Sequence, residues 1–142
     1  MPSAPGPPGR RLDGIVEYLG LRWESPEVVC LEIRPELLNR GGLLSGVASF
    51  ALVDYSMGSA LWTHTTPDEG IATANIAINY LQTATEGEIC CQSRLDRRNR
   101  TTAMLRSEVR HPADDRLLVT AVGTYSIFPR RGKEPRLGPR PS

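Results

Sequence analysis

One long apolar segment followed by four strand-like runs restricts the fold more than any other feature of this chain. From Ser45 to Trp62, SGVASFALVDYSMGSALW carries apolar residues at Val47, Ala48, Phe50, Ala51, Leu52, Val53, Met57, Ala60, Leu61 and Trp62, too many for one stripe. A helix apolar nearly all round is a buried helix. This one is too short, and too often interrupted by small and polar residues, to cross a bilayer. Downstream, IATANIAINYLQ, EICCQSRLDR, TTAMLRSEVR and RLLVTAVGTYSIF read as strands separated by the turn-forming TATEG, RNR and HPADD. Connections this short join antiparallel neighbours and predict a meander. Upstream, LDGIVEYLG places Leu12, Ile15, Val16 and Leu19 at helical spacing with Gly20 as a stop, and LRWE and EVVCLEIRP flank an SP turn as a hairpin. A single sheet with one helix to cover its apolar face must wrap round that helix. The expected class is α+β, a curved antiparallel sheet about one central helix.

The 142 residues suit one domain with one core. The ends, MPSAPGPPGRR and PRRGKEPRLGPRPS, are rich in Pro, Gly and Arg and lack apolar periodicity, so they read as disordered tails over 1–11 and 130–142 flanking a domain at 12–129. Of the formal net charge of +1, the first thirteen residues carry +1 and the last fourteen +4, which leaves the body at −4. An acidic body argues against a nucleic-acid surface, and the basic tail reads as solubilising.

Cys30, Cys90 and Cys91 have no metal-ligand spacing, and on a strand the adjacent pair points to opposite faces. A reduced, cytoplasmic protein is the simplest inference. No apolar run reaches 18 residues and no signal-type stretch opens the chain, so a protein neither in the membrane nor exported is expected. Asn75, Asn79, Gln92, Arg94, Arg106 and Arg110 need a solvated sheet face, which excludes a fully buried parallel sheet. Long strands around one helix leave sheet edges unpaired, and such edges invite a second copy: a homodimer with a continuous sheet is expected.

Asp54 lies inside the apolar segment. Burying a carboxylate is costly unless donors surround it, so Asp54 has either structural partners or a purpose. Upstream, Gly41, Gly42 and Gly46 leave amides accessible where the helix begins, an arrangement suited to developing negative charge. The plainer reading is that Ser45 caps the helix and the glycines make a turn. Gly46 and Asp54 are eight positions apart, about 12 Å along a helix axis, whereas a carbonyl and its attacking water sit about 3 Å apart. If both groups act on one reaction centre, two subunits must share it. His64 and His111 read as surface residues, and no His, Cys or acid cluster suggests a metal.

Three segments, LLNRGGLLSGVASFALVDYSMGSA, TANIAINYLQTATEGE and LLVTAVGTYSIFP, resemble the hotdog-fold acyl-CoA thioesterases, specifically the PaaI-like (phenylacetate-degradation) type of the 4-hydroxybenzoyl-CoA thioesterase superfamily. The likeness runs from Leu12 to about Phe128. It implies that Asn39 and the Gly46 amide polarise a thioester carbonyl, while Asp54 of the other subunit activates water or attacks directly, aided by Thr73. Where the family has His-Gly-Gly this chain has Ser45-Gly46-Val47, and Thr83 replaces a proline. The resemblance also implies a CoA thioester as substrate, no cofactor, and a dimer or tetramer.

Arg94, Arg97, Arg98 and Arg100 in RLDRRNRT surround a strand turn, and arginine suits phosphate; Arg97, Arg98 and Arg100 are the candidates for CoA contact, a solvated hairpin tip being the alternative. Phe50, Val53 and Met57 either line an acyl pocket or simply pack. The resulting expectation is an acyl- or aryl-CoA thioesterase with its site across the dimer interface. The alternative, motivated by Ser45 and Val47, is a non-catalytic acyl-CoA-binding module; a hotdog hydratase is disfavoured because no acid and His pairing of that kind lies near Asp54.

Overall fold

The computed structural model describes residues 13–130. Apart from Arg130, the tails expected at the two ends lie outside the described residues. Asp13 opens helix α1 (Gly14–Leu19): its Oδ1 accepts the amides of Ile15 and Val16 at 3.0 and 3.1 Å, and Gly20 ends the helix at φ +69°. Strands β1 (Arg22–Ser25) and β2 (Val28–Ile33) form the expected hairpin. A 3-10 turn (Pro35–Leu37) then leads into α2 (Gly46–Trp62). Four long strands follow: β3 (Glu69–Tyr80), β4 (Gly87–Arg98), β5 (Thr102–His111) and β6 (Arg116–Pro129).

All six strands make one antiparallel sheet in the order β1-β2-β4-β5-β6-β3. The expected four-strand meander is therefore corrected: only β4, β5 and β6 follow one another, and β3 pairs with β6 at the far edge. The cause is α2. It packs against the sheet between β2 and β3 in the chain and delivers β3 beyond β6, while β2 occupies the edge of β4. Residues 81–86, which hold the first four residues of the expected hairpin turn TATEG, are instead the return path along the strand ends, and its Gly87 opens β4. There the amides of Leu81 and Gln82 donate to the Leu118 carbonyl, Arg116 donates to the Thr83 carbonyl, and His111 Nε2 meets the Glu86 carbonyl at 2.8 Å.

Leu52, Val53, Met57 and Leu61 of α2 are fully buried against Val29, Leu31, Ile89, Leu105 and Val109 of the sheet. Met57 fills the space that Gly123 of β6 leaves open: a Cβ on Gly123 would lie 2.6 Å from Met57 Sδ. A chain of buried hydroxyls also links helix to sheet, Ser56 to Ser93 at 2.7 Å and Ser93 to Ser107 at 2.6 Å, with Ser56 donating to the Cys91 carbonyl. Every hydroxyl in it has a partner, as buried polar groups require.

The all-round burial expected of α2 is corrected as well. Val47 is 79% exposed and Phe50 37%, and Asp54, Tyr55 and Gly58 are half-buried, so one side of the helix is open in the protomer. Val53 and Met57 pack in the core, which leaves Phe50 alone of the three candidate pocket residues facing outward.

Cys91 points inward, is fully buried and has its thiol pKa raised by that burial, while Cys90 faces the other way, as expected of neighbours on a strand. The reduced set of three is corrected: Cys30 and Cys90 stand directly opposite across β2 and β4 and are joined as a disulfide. Ligand atoms of Cys30, Cys90 and Glu88 lie within 4.8 Å of one another, an approach that spacing along the chain does not reveal. With the sulfurs joined, and Glu88 held by Arg22 through two hydrogen bonds of 2.7 and 3.1 Å, the trio presents no thiolate to a metal. No helix among the described residues is long and apolar enough to cross a membrane.

Candidate active site

Ser45 sets the start of α2. Its Oγ accepts the Val47 amide at 3.2 Å, and its carbonyl accepts those of Ala48 and Ser49. The capping that offered a purely structural reading therefore satisfies three amides of the first turn, while the Gly46 N–H donates to nothing among the described residues. Tyr80, at the end of β3, donates its hydroxyl to the Gly46 carbonyl at 2.9 Å, and its ring lies 3.4 Å from where a Cβ on residue 46 would sit. A Cβ at residue 46 would rest in ordinary van der Waals contact with that ring, so the tyrosine closes one side of the helix start.

Asn39 belongs to the same hollow, with Gly46, Ser49, Tyr80 and Leu118. Its Oδ1 accepts the amides of Gly41 and Leu43 at 2.9 and 3.2 Å, and Gly42 closes the turn at φ +81°. The loop thus orients the side chain through its oxygen, and Nδ2 has no acceptor among the described residues.

Asp54 opens into a different cleft, lined by Trp23, Tyr55, Trp62, Ile71, Thr73 and Tyr125. Two hydroxyls donate to its Oδ1, Thr73 at 2.7 Å and Tyr125 at 2.5 Å, and the Tyr125 hydroxyl also lies 2.8 Å from the Asp54 carbonyl. Thr73 and Tyr125 are direct partners in the β3–β6 ladder. A bulge between Thr73 and Asn75 shifts the phase of β3 just beyond this pair, so that Thr73 and Ile76 both turn inward. Burial, with the Asp54 charge behind it, raises the pKa of the Tyr125 phenol, so Tyr125 is a standing donor. Burial also raises the Tyr55 phenol, which donates to Asp13 Oδ2 at 2.7 Å and ties α1 to α2.

The structure therefore brings Asp54 to Thr73, and Asn39 to Gly46, but keeps the two pairs in separate hollows of one protomer. The basic turn is divided too. Arg98 pairs with Glu69 at 2.6 Å and donates to the His64 carbonyl, while the Arg97 Nε bonds Asn99 at 2.9 Å and Arg100 is exposed. His64 is exposed as expected; His111 is half-buried against Gly87, where a Cβ would lie 2.9 Å from the ring. Tyr125, Trp23 and Tyr80 are the site neighbours that sequence reasoning missed. Only Tyr125 left a signal, a polar-tipped aromatic at an inward position of GTYSIF.

A free amide at a helix start beside an asparagine side chain, and a carboxylate held by two hydroxyls, are thus carried on one curved antiparallel sheet about a central helix, the hotdog fold. The sequence model described as "Thioesterase superfamily" matches residues 41–118, more than half of the chain. The chain belongs to the thioesterase superfamily and is a thioester hydrolase of hotdog fold. Among solved structures it is similar to the conserved protein PA5202 from Pseudomonas aeruginosa, at 29% identity over 85% of this chain and 100% of that one, with a TM-score of 0.73. The phenylacetic acid degradation protein PaaI from Thermus thermophilus is 24% identical over 80% of this chain and 98% of that one, at a TM-score of 0.73. The BH2602 protein from Bacillus halodurans, solved with CoA, is 13% identical over 80% and 75%, at 0.76. No curated protein sequence matches.

Proposed function

We propose that the protein hydrolyses an acyl- or aryl-CoA thioester to the free acid and CoA, at a site made by two subunits. The observation that carries this is the pair of half-sites: a free Gly46 amide beside Asn39 in one hollow, and a hydroxyl-held Asp54 in another. Neither half alone supports both polarisation and attack. The exposed edge of β3 and the open side of α2 suit a second copy, which would set the Asn39–Gly46 half of one subunit against Asp54 of the other.

In that arrangement the thioester oxygen accepts from the Gly46 N–H and Asn39 Nδ2. The oxygen of a water bonds to the carbonyl carbon as its proton passes to Asp54, and the carbonyl electron pair moves onto the oxygen facing those donors. Collapse breaks the C–S bond, and the departing CoA thiolate takes the proton back from Asp54. The loss of the family's histidine to Ser45 leaves the backbone donor in place, which favours turnover over a merely binding module. Arg97 and Arg100 are the arginines proposed to meet the CoA phosphates, since Arg98 is already paired. A CoA-type ligand also supports the cytoplasm as the proposed compartment; the thiols no longer do.

A thiol-release screen over aryl, short and long acyl-CoAs tests the proposal. At least one substrate is expected to turn over, and Asp54→Asn is expected to lower its rate by about 100-fold or more. An equal rate in the variant would overturn the assignment of Asp54.

A further inference from the structure

We infer that Tyr125 is a positioning residue for the thioester reaction: its hydroxyl, with that of Thr73, occupies Oδ1 of Asp54 and leaves Oδ2 as the oxygen that receives the proton. The inference rests on the proposed role of Asp54 and extends it to β6. Three observations converge on it. Both donors reach the same oxygen, at 2.5 and 2.7 Å, and Oδ2 accepts from no described residue. The two donors are one cross-strand pair, so the geometry is set by the β3–β6 ladder rather than by a loop. The second contact of the Tyr125 hydroxyl, at 2.8 Å to the Asp54 carbonyl, registers helix and strand against each other at this residue.

A carboxylate with both oxygens free can rotate and present either one. Two donors on Oδ1 fix the plane and make Oδ2 the more basic oxygen. The Tyr125 phenol is buried and remains protonated, so it does not itself exchange protons with the reaction. The other titratable groups facing this carboxylate are Tyr55, with Asp13 behind it, and, beyond Tyr125, Cys91 of β4; all remain when only the Tyr125 hydroxyl is removed.

The test is Tyr125→Phe, which keeps the ring and deletes the donor. The expected result is a kcat lower by about 10- to 100-fold, the span of one hydrogen bond to a charged group, with KM changed less than about twofold. The acid limb of the rate–pH profile is expected to move to higher pH, because a donor favouring the charged carboxyl is gone. The same reading comes without turnover from protein labelled with 13C at the aspartate carboxyls. There the resonance that disappears in Asp54→Asn is expected to titrate at higher pH in Tyr125→Phe. An unmoved titration overturns the inference whether or not the protein is active, whereas absence of thiol release from the wild-type protein overturns only the thioesterase reading. If Tyr125→Phe does not fold, 3-fluorotyrosine at position 125 supplies a stronger donor of nearly the same shape. It is expected to move the titration to lower pH, and no movement again overturns the inference.

Discussion

At the scale of single residues, the surroundings of Asp54 decide what the carboxylate can do. The sequence poses the question of an acid on an apolar helix; the answer lies in two hydroxyls from strands 19 and 71 positions away. Thr73 was legible only through family likeness, and Tyr125 left no more than a polar-tipped aromatic at an inward strand position, which looks like core whether or not its hydroxyl has a task. The phenols also set a pH dependence. Tyr125 and Tyr55 hold their protons in the fold beyond the ordinary phenol value, so the stability they add is fully present below the unfolded pKa and is lost progressively as pH rises from there through the raised folded one. Urea midpoints are expected to fall from about pH 9 to about pH 11, less steeply in Tyr55→Phe. An identical slope in that variant would contradict the assignment.

At the scale of elements, helices and strands were readable because their burial follows periods of 3.6 and 2, and Ser45 and Gly20 mark helix ends as their chemistry demands. The order of strands was not readable. TATEG has the composition of a hairpin turn, yet it carries the chain along the ends of β6 and β5, because α2 has already moved β3 past β6. The disulfide was hidden for a related reason: Cys30 and Cys90 are 60 positions apart, and only the β2–β4 register sets them opposite. Gly123 is a tight point between helix and sheet. Gly123→Ala would push a Cβ toward Met57 Sδ, Ile76 and the Asn75 carbonyl at the bulge. We expect it to destabilise by about 1–3 kcal/mol in chemical denaturation. A change within about 0.5 kcal/mol would mean that α2 has room to withdraw.

At the scale of the whole molecule, one protomer holds two separate hollows and an exposed strand edge, and the proposed second copy would account for both. β3 lies at the end of the sheet, and Ala72, Thr73, Ala74, Asn75, Ala77 and Asn79 on it are all exposed in the single chain. The open side of α2, with Val47 and Phe50, faces solvent near the same helix start. The roughly 12 Å between Gly46 and Asp54 along the helix follows from spacing alone, and their separation into two hollows agrees with it. Subunit complementation tests the shared site most directly. Asp54→Asn and Asn39→Ala proteins, each inactive or nearly so, are mixed, dissociated and reassociated, and thiol release is measured. Half of the dimers then pair one chain of each kind, with one intact site of two, so about a quarter of the wild-type rate is expected. No recovery above the separate variants would contradict a site built from two chains.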